Sequence, residues 1–182
     1  MSANIIDGKA FAATVRGKVA AKVADLKKAH NITPGLAVVL VGEDPASAVY
    51  VRNKKRTCAE LGIKSVGHDL PKSTSQDELE NLVQKLNIDP SVHGILNQFP
   101  LPNGLDESRV IRKISPEKDV DGLHPLNAGL IAMGQPSFIS CTPYGVLKLM
   151  EYYHIDPTGK HVVIIGRSNI VGKPLAAMLM QK

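Results

Sequence analysis

The sequence predicts an α/β protein: an open, mostly parallel sheet with flanking helices, followed by the beginning of a second α/β unit. Three observations predict this class. Apolar residues recur at helical spacing in several segments, and short apolar runs of strand length lie between those segments. Glycine or proline separates the two kinds of segment. Strands that alternate with helices in this way form βαβ units, whose parallel sheet is covered on both faces.

The first seventy residues predict a helix, a strand, a helix and a second strand. The run from Leu36 to Val41 has the length of a buried strand. The next helix is predicted over residues 46–63, with Gly62 as its C-terminal stop, and residues 64–70 follow as a short strand. The apolar residues at helical spacing that define the first helix are Phe11, Val15, Val19, Val23 and Leu26.

Two further helices and a strand complete the first unit. Ser75 and Glu78 form a capping-box pattern, which predicts that a third helix begins there. Residues 93–99 read as another buried strand, and residues 106–113 as a short helix. A stretch punctuated by proline and glycine then runs over residues 116–134. The apolar stripe of the third helix consists of Leu79, Leu82, Val83 and Leu86.

The second unit begins at Cys141-Thr142-Pro143. Thr142 is predicted to be a helix N-cap and Pro143 the first helical residue. Residues 161–165 then predict a strand, which is followed by a glycine-containing loop and an amphipathic helix. One strand cannot make a sheet, and a mononucleotide-binding half needs about three, so roughly a hundred further residues are expected beyond Lys182.

The composition is that of a reduced, water-soluble globular protein. The net charge of +5 suits an anionic partner, and nucleotide, folate and nucleic acid are all candidates on charge alone. Aromatic residues make up only 4% and no motif interleaves them with basic residues, which disfavours nucleic acid. Cys58 and Cys141 are expected to be free thiols. No secretory h-region or membrane-length apolar run is present.

The loop over residues 166–174 is the clearest candidate ligand site. Its glycines allow the backbone to approach a phosphate, the following helix offers free N–H groups, and Arg167, Ser168 and Lys173 add donors. The loop is not a Walker A motif, because five residues separate Gly166 from Gly172. A plain strand-to-helix turn is the alternative interpretation.

Two pairs in the first unit and two carboxylates after it could also carry chemistry. Tyr50 and Lys54 share one helix face, although such a pair often forms only a solvated surface. Asn97 and Gln98 fall at the carboxyl end of a strand, where ligands of open parallel sheets collect, or their two amides satisfy loop backbone. Asp119 and Asp121 could accept from ligand N–H groups or cap a turn. The six histidines show no metal-site spacing.

Five ordered segments of the chain resemble the bifunctional methylenetetrahydrofolate dehydrogenase/methenyltetrahydrofolate cyclohydrolase family. They are DPASAVYVRNKKRTCAELGI, VHGILNQFPLP, PEKDVDGLHPLNAG, CTPYGV and GKHVVIIGRSNIVGKP. The resemblance covers the whole chain. It implies a folate-binding catalytic domain over residues 1–121 and the start of a Rossmann-type NADP-binding domain over residues 122–182, with the family's carboxyl-terminal third absent.

By this resemblance, NADP oxidises 5,10-methylenetetrahydrofolate to the 5,10-methenyl form, which is then hydrolysed to 10-formyltetrahydrofolate. The resemblance assigns the catalytic folate site to Lys54, Tyr50, Gln98 and Asp121, and no metal is implied. It assigns the NADP site to Gly166, Arg167, Ser168 and Thr142.

The resemblance also implies a cytoplasmic homodimer in one-carbon metabolism, with neither a membrane nor a nucleic-acid partner. Asn97 and Phe99 depart from the family pattern around the glutamine, and Asn97 is expected to bring an additional amide to the site. Because the family's later segments are absent, a non-catalytic folate- or nucleotide-binding remnant is the alternative function.

Overall fold

The structure, a computed structural model, describes residues 4–182 and divides into two compact units. One unit comprises residues 19–120, and the other joins the described residues up to Lys18 to residues 121–182. In chain order the elements are α1 (Gly8–His30), β1 (Gly35–Val41), α2 (Pro45–Glu60), β2 (Lys64–Leu70), α3 (Gln76–Ile88), β3 (Gly94–Asn97), α4 (Glu107–Lys113), α5 (Pro125–Ala132), α6 (Cys141–Tyr152) and α7 (Gly172–Leu179).

A three-stranded parallel sheet with the order β2-β1-β3 organises the unit over residues 19–120. β1 is central because it pairs along its whole length with β2 and with all four residues of β3. The predicted parallel α/β sheet is therefore confirmed. The C-terminal ends of all three strands lie at the same end of the sheet, called here its carboxyl edge, and there Gln98 N donates to Val39 O at 2.8 Å.

The alternation of side chains along β1 divides the core into two clusters. Val39 and Ile95 lie in the cluster that also contains buried residues of α3 and α4. Val38 and Leu96 face the opposite side, where they pack with Val51 of α2. Because successive strand residues point to opposite faces, helices cover both faces of the sheet.

The predicted helix boundaries in this unit follow from local capping. Asp44 accepts from Ser47 N at 2.7 Å at the start of α2, and hydrogen bonds from the Ser47 backbone and then its side chain lower the pKa of this carboxyl. Gly62, just past the helix, adopts φ 76°, which confirms the predicted stop. The capping box of Ser75 and Glu78 at the start of α3 is also confirmed.

The first helix is confirmed, but its apolar stripe is largely uncovered. α1 runs over Gly8–His30, and Val23 is its only buried residue. Val15 and Leu26 each remain 39% exposed. Across residues 4–182, no helix combines the length and apolarity that crossing a bilayer requires.

Two local predictions for the second unit are wrong, and one of its helices was not predicted. The stretch over residues 116–134 contains a helix, α5, whose first residue is Pro125 and whose N-cap is His124, with Nδ1 accepting from Leu126 N at 3.1 Å. α6 is preceded by Ser140 as the N-cap residue, so Thr142 already lies inside the helix and Pro143 is its third residue rather than its first. Residues 161–165 form no strand, because no described strand lies beside them to share backbone hydrogen bonds.

Candidate functional site

The structure brings Lys54 and Gln98 together although 44 residues separate them. α2 carries the lysine, and the residue after β3 carries the glutamine. Lys54 Nζ donates to Gln98 Oε1 at 3.0 Å, while Gln98 Nε2 donates to Phe99 O at 2.9 Å. Because its N–H group is held by the backbone, the carboxamide must present its oxygen to the amine. Both side chains are half-buried at the carboxyl edge of the sheet.

Lys54 differs from the next two cations on α2, Lys55 and Arg56, in the kind of partner it has. Lys55 pairs with Asp69 at 3.2 Å, and Arg56 pairs with Glu60 at 3.7 Å. Among the described residues Lys54 forms no ion pair, and its hydrogen bond goes to a neutral amide. This arrangement holds an amine at the sheet edge without a carboxylate beside it.

Tyr50 lies one helical turn before Lys54 on the same face of α2, and its side chain is exposed. A half-buried amine, an oriented amide and an exposed phenol ring thus occupy one end of the sheet. The ring can stack on a planar ligand while its hydroxyl donates or accepts. The three first-unit residues predicted for the folate site therefore share one location.

Asn97 does not join this group. Val39 is its partner in the β1–β3 register, and side chains alternate along the strand, so Asn97 points to the α3 side of the sheet. Its side chain is only 2% exposed, and neither amide atom has a partner within the described residues. The expectation that Asn97 adds an amide to the site is therefore wrong.

The segment before Asp121 is anchored to the first unit. Lys118 Nζ donates to Leu86 O at 3.1 Å and to Asp89 O at 2.8 Å, at the C-terminal end of α3. Ile95 N donates to Lys118 O at 2.7 Å, so the segment runs beside β3. Asp119 on this segment is 1% exposed.

Asp121 itself begins the second unit and is half-buried. The next residue, Gly122, adopts φ 63°, and a Cβ there would lie 2.7 Å from backbone atoms of Ile139 and Ser140. Only glycine fits this close approach, so Gly122 fixes the direction in which the chain leaves Asp121.

The loop over residues 166–174 is closed by its own hydrogen bonds. Ser168 Oγ accepts from Val171 N at 3.2 Å, and Ser168 O accepts from Lys173 N at 3.1 Å. A Cβ on Gly172 would collide with the carbonyl of Gly166, so only glycine permits this turn. The closed loop leads directly into α7.

The donors of this loop suit a phosphate-bearing ligand. Gly166, Arg167 and Ser168 are exposed, and the Ser168 hydroxyl accepts from the backbone, so its own proton can be donated outward. Arg167 forms no ion pair among the described residues. Lys173, by contrast, is engaged by Asn169 Oδ1 at 2.7 Å. The site residues therefore fit a nucleotide phosphate at the start of α7.

Sequence reasoning missed the part that Ser140 takes in this unit. Its hydroxyl donates to Ile170 O at 2.6 Å, which ties the start of α6 to the loop before α7. Thr142, two residues later, is exposed. A hydroxyl residue directly before Cys141-Thr142-Pro143 was the available signal, and Thr142 beside the proline obscured it. Among residues 4–182, no cluster of three histidine, cysteine or acidic side chains could hold a metal.

Two family models match the chain. The catalytic domain of tetrahydrofolate dehydrogenase/cyclohydrolase matches residues 6–121, and the NAD(P)-binding domain of the same family matches residues 140–182. The bifunctional protein FolD of Magnetococcus marinus is 56% identical over 98% of this chain, which covers 62% of that relative. The FolD of Moorella thermoacetica is 57% identical over the whole chain, which covers 65% of it.

Solved structures agree. The FolD enzyme from Campylobacter jejuni superposes with a TM-score of 0.95 at 46% identity, over 97% of this chain and 63% of that one. A Trypanosoma brucei methylenetetrahydrofolate dehydrogenase-cyclohydrolase complexed with NADP and an inhibitor gives 0.95 at 34% identity, over 99% and 62%. The chain thus spans 58% to 62% of the length of the first curated relatives it matches. Matching both domain models, it belongs to the tetrahydrofolate dehydrogenase/cyclohydrolase family.

Proposed function

We propose that this chain carries the folate site of a methylenetetrahydrofolate dehydrogenase and methenyltetrahydrofolate cyclohydrolase. The observation that carries the proposal is the hydrogen bond between Lys54 Nζ and Gln98 Oε1 at the carboxyl edge of the sheet. Open parallel sheets bind ligands at that edge. Relatives that cover nearly all of this chain bear the name bifunctional protein FolD, which supports both activities.

Hydrolysis of the methenyl form requires proton transfer beside a cation. Water attacks the cationic amidinium carbon and forms a C–O bond, and one proton leaves the oxygen to give a neutral hydroxyl adduct. The hydroxyl then loses its second proton as the bond from that carbon to N5 breaks and N5 takes up a proton, so 10-formyltetrahydrofolate results with the net release of one proton. The Lys54 amine can accept and return these protons, and Gln98 fixes its position.

Tyr50 and Asp121 are proposed to bind the folate. The exposed Tyr50 ring can stack on the planar part of the substrate. The Asp121 carboxylate can accept two hydrogen bonds from amino and ring N–H groups of the pterin. We place the end of the folate-binding domain at residue 121, which is also where the catalytic-domain match ends.

The oxidation step needs a hydride acceptor, and NADP supplies that chemistry when bound. Gly166, Arg167 and Ser168 are proposed to hold its phosphates, and Thr142 to lie near the nicotinamide. Arg167 suits the 2′-phosphate because a guanidinium binds phosphate through paired N–H groups. The NADP complex of the Trypanosoma brucei relative supports the choice of cofactor.

The test is hydrolysis of 5,10-methenyltetrahydrofolate by this chain, followed through loss of the methenyl chromophore. Lys54→Ala is compared with Arg56→Ala, a cation on the same helix whose partner is Glu60. We expect turnover to fall by at least about a hundredfold in Lys54→Ala, the usual size of a general acid–base contribution, and to persist in Arg56→Ala. Full turnover by Lys54→Ala would contradict the role of this lysine.

A non-catalytic folate- or nucleotide-binding function is the second candidate. The observation that favours it is the unpaired and largely exposed stretch over residues 161–165, which leaves the cofactor unit without a strand in the described chain. Saturable binding of the methenyl substrate with no turnover by the wild-type chain would select this function over the first.

We further propose that the chain forms a homodimer in the cytoplasm and serves one-carbon metabolism, including purine, methionine and histidine biosynthesis. Two free cysteines, Cys58 and Cys141, suit a reducing compartment. Sedimentation of the purified chain tests the homodimer.

A further inference from the structure

The loop between β3 and α4 contains an Asn-Gly pair, Asn103-Gly104. Every other asparagine in the sequence precedes a residue that has a side chain. Glycine leaves the nitrogen of its own peptide bond uncovered, because it has no Cβ beside that nitrogen. The pair therefore places an accessible backbone nitrogen directly after a side-chain amide.

The pair forms the two central residues of an exposed β-turn. Leu105 N donates to Pro102 O at 3.2 Å across the turn, and Gly104 adopts φ 100°. Asn103 and Gly104 are both exposed. Apart from the adjoining residues, no described atom lies within 4 Å of the position that a Cβ on Gly104 would take. The turn is thus closed by its outer residues, and the space around its tip is open.

Neither reacting group of the pair is held by the described chain. No hydrogen bond there involves the Asn103 side chain or the Gly104 N–H. The Asp7 carboxylate, which also precedes a glycine, instead accepts two backbone hydrogen bonds at the start of α1. Because the closing bond of the turn joins Pro102 and Leu105, the peptide plane between Asn103 and Gly104 can rotate without breaking that bond.

We propose that Asn103 is a site of spontaneous deamidation, with water as the co-reactant. The Gly104 nitrogen loses its proton and attacks Asn103 Cγ, and the new N–C bond closes a five-membered succinimide ring. The bond from Cγ to the side-chain nitrogen breaks, and that nitrogen leaves as ammonia with the proton. Water then adds to one of the two ring carbonyls, whose bond to the Gly104 nitrogen breaks as this nitrogen regains a proton. No atom is oxidised or reduced.

Either product places a new carboxylate at the carboxyl edge of the sheet. Pro102 Cγ lies 3.3 Å from the position of a Cβ on Gly42, the residue after β1, so the turn lies at that edge. Ring opening at Cγ leaves an aspartyl residue. Opening at the backbone carbonyl leaves an isoaspartyl residue, in which the main chain is one methylene longer. The longer chain is expected to break the bond between Pro102 and Leu105, because the extra atom lies between its two partners.

Mass spectrometry of the whole chain after storage at mildly alkaline pH tests the proposal, because the attacking nitrogen must lose its proton. The tryptic peptide over residues 86–109 contains Asn87 and Asn97 as well as Asn103, so fragmentation of one peptide compares all three. We expect conversion of amide to acid to be at least about tenfold faster at Asn103 than at the other two. Asn103→Gln is the matched variant, because it keeps an amide in the turn but requires a six-membered ring, and it should slow conversion at this position by at least about tenfold.

A synthetic peptide of residues 99–106 gives the rate for the unfolded segment. A folded chain that keeps its Asn103 amide while this peptide converts overturns the proposal, because the turn then holds the pair. Equal rates at Asn103 and Asn87, or undiminished conversion in Asn103→Gln, also overturn it. An Asp-specific endoproteinase cleaves the aspartyl product but not the isoaspartyl one. A mixture of both products supports the succinimide route, and an aspartyl product alone contradicts it.

Discussion

At the scale of single residues, Asn97 is the least satisfied polar side chain in the core. It is 2% exposed and points toward the α3 side of the sheet, where both of its amide atoms lack partners within the described chain. An unpaired buried amide costs free energy, because the water it lost has not been replaced. Asn87, by contrast, donates to Lys113 O at 2.7 Å and accepts from Ser115 N at 2.8 Å.

These two asparagines give the first prediction. Asn97→Val is expected to raise the free energy of unfolding by roughly 1–3 kcal/mol, because it removes the unsatisfied amide. The same change at Asn87 is expected to lower it by about 1–2 kcal/mol, because two hydrogen bonds are lost. Urea titration measures both. Destabilisation by Asn97→Val would show that the amide has a partner in solution.

The two cysteines provide the second prediction. Burial raises the pKa of the Cys58 thiol, so little thiolate forms near neutral pH, and the group is also covered. Cys141 is exposed. A thiol reagent should therefore modify one cysteine quickly and the other only when the protein opens. Cys141→Ser should abolish the fast phase in a stopped-flow titration, and a fast phase that remains would contradict the burial of Cys58.

At the scale of elements, the capping box of α3 links stability to pH. The Ser75 backbone N–H and then its hydroxyl donate to Glu78, each at 2.8 Å, and lower the pKa of this carboxyl below its ordinary 4.5. The folded state therefore binds the proton more weakly than the unfolded state. The contribution is complete above pH 4.5 and is lost as the pH falls through the folded pKa.

The third prediction follows from this sign. Ser75→Ala is expected to destabilise the protein by about 1 kcal/mol near neutral pH, the usual effect of losing an N-cap. The difference in the free energy of unfolding should narrow as the pH is lowered below 4.5, because protonated Glu78 no longer accepts the bond from the Ser75 hydroxyl, whereas the backbone N–H is present in both proteins. Urea unfolding of both proteins near neutral pH and below pH 4.5 measures the difference in their free energies of unfolding. A gap that is independent of pH would exclude the carboxylate as the source.

Lys118 joins two elements of the candidate site. Its ammonium bonds to carbonyls of Leu86 and Asp89 at the end of α3, and its own carbonyl accepts from β3. The segment that leads to Asp121 is therefore held at both its side chain and its backbone.

The fourth prediction is that Lys118→Met raises KM for the methenyl substrate several-fold and changes kcat little, because Asp121 loses its anchored approach while Lys54 is untouched. Stability should fall by about 2 kcal/mol, as charged hydrogen bonds are lost. Lys118→Arg should restore KM in part. Lys85→Met, on the exposed side of α3, is the control. A fall in kcat as large as the rise in KM for Lys118→Met would contradict a positioning role.

Local capping signals predicted the helix ends better than composition predicted the strands. Capping chemistry at Ser75 and Gly62 predicted helix ends well, because those residues act on backbone within one turn. α5 escaped prediction because Pro125 looks like punctuation, whereas proline suits a first helical turn. Residues 161–165 have a strand composition, but a strand forms only where another strand shares its hydrogen bonds.

For the candidate site, the sequence predicted which residues take part but not how their atoms are arranged. Lys54 and Gln98 were placed by a resemblance, and only the structure brings their atoms within 3.0 Å. The face of Asn97 could have been read from the alternation along β3, because its neighbour Gln98 had already been assigned to the site. The side-chain tie from Ser140 to Ile170 spans 30 residues and leaves no periodic signal.

At the scale of the whole molecule, the two units differ in how their backbone is secured. In β1 every residue pairs with a neighbouring strand. Over residues 161–166, no backbone amide donates a hydrogen bond within the described chain, and Ile165 is fully exposed.

The fifth prediction concerns amide hydrogen exchange. Peptides over residues 161–166 should exchange at rates near those of an unfolded chain, and peptides over residues 36–41 should exchange only through global opening. Mass spectrometry of the exchanged peptides measures both in one experiment. Slow exchange at residues 161–166 would mean that this segment is paired in solution.

The hydrogen bond from Gln98 N to Val39 O has one further consequence for the geometry of the candidate site. This bond fixes Gln98 to the central strand β1, whereas Lys54 lies on α2, a helix that packs on one face of that strand. The distance between the Lys54 amine and the Gln98 carboxamide is therefore set by how closely α2 packs against the sheet. A volume change at Val38 or Val51, which pack between this strand and α2, would therefore alter the distance between Lys54 Nζ and Gln98 Oε1.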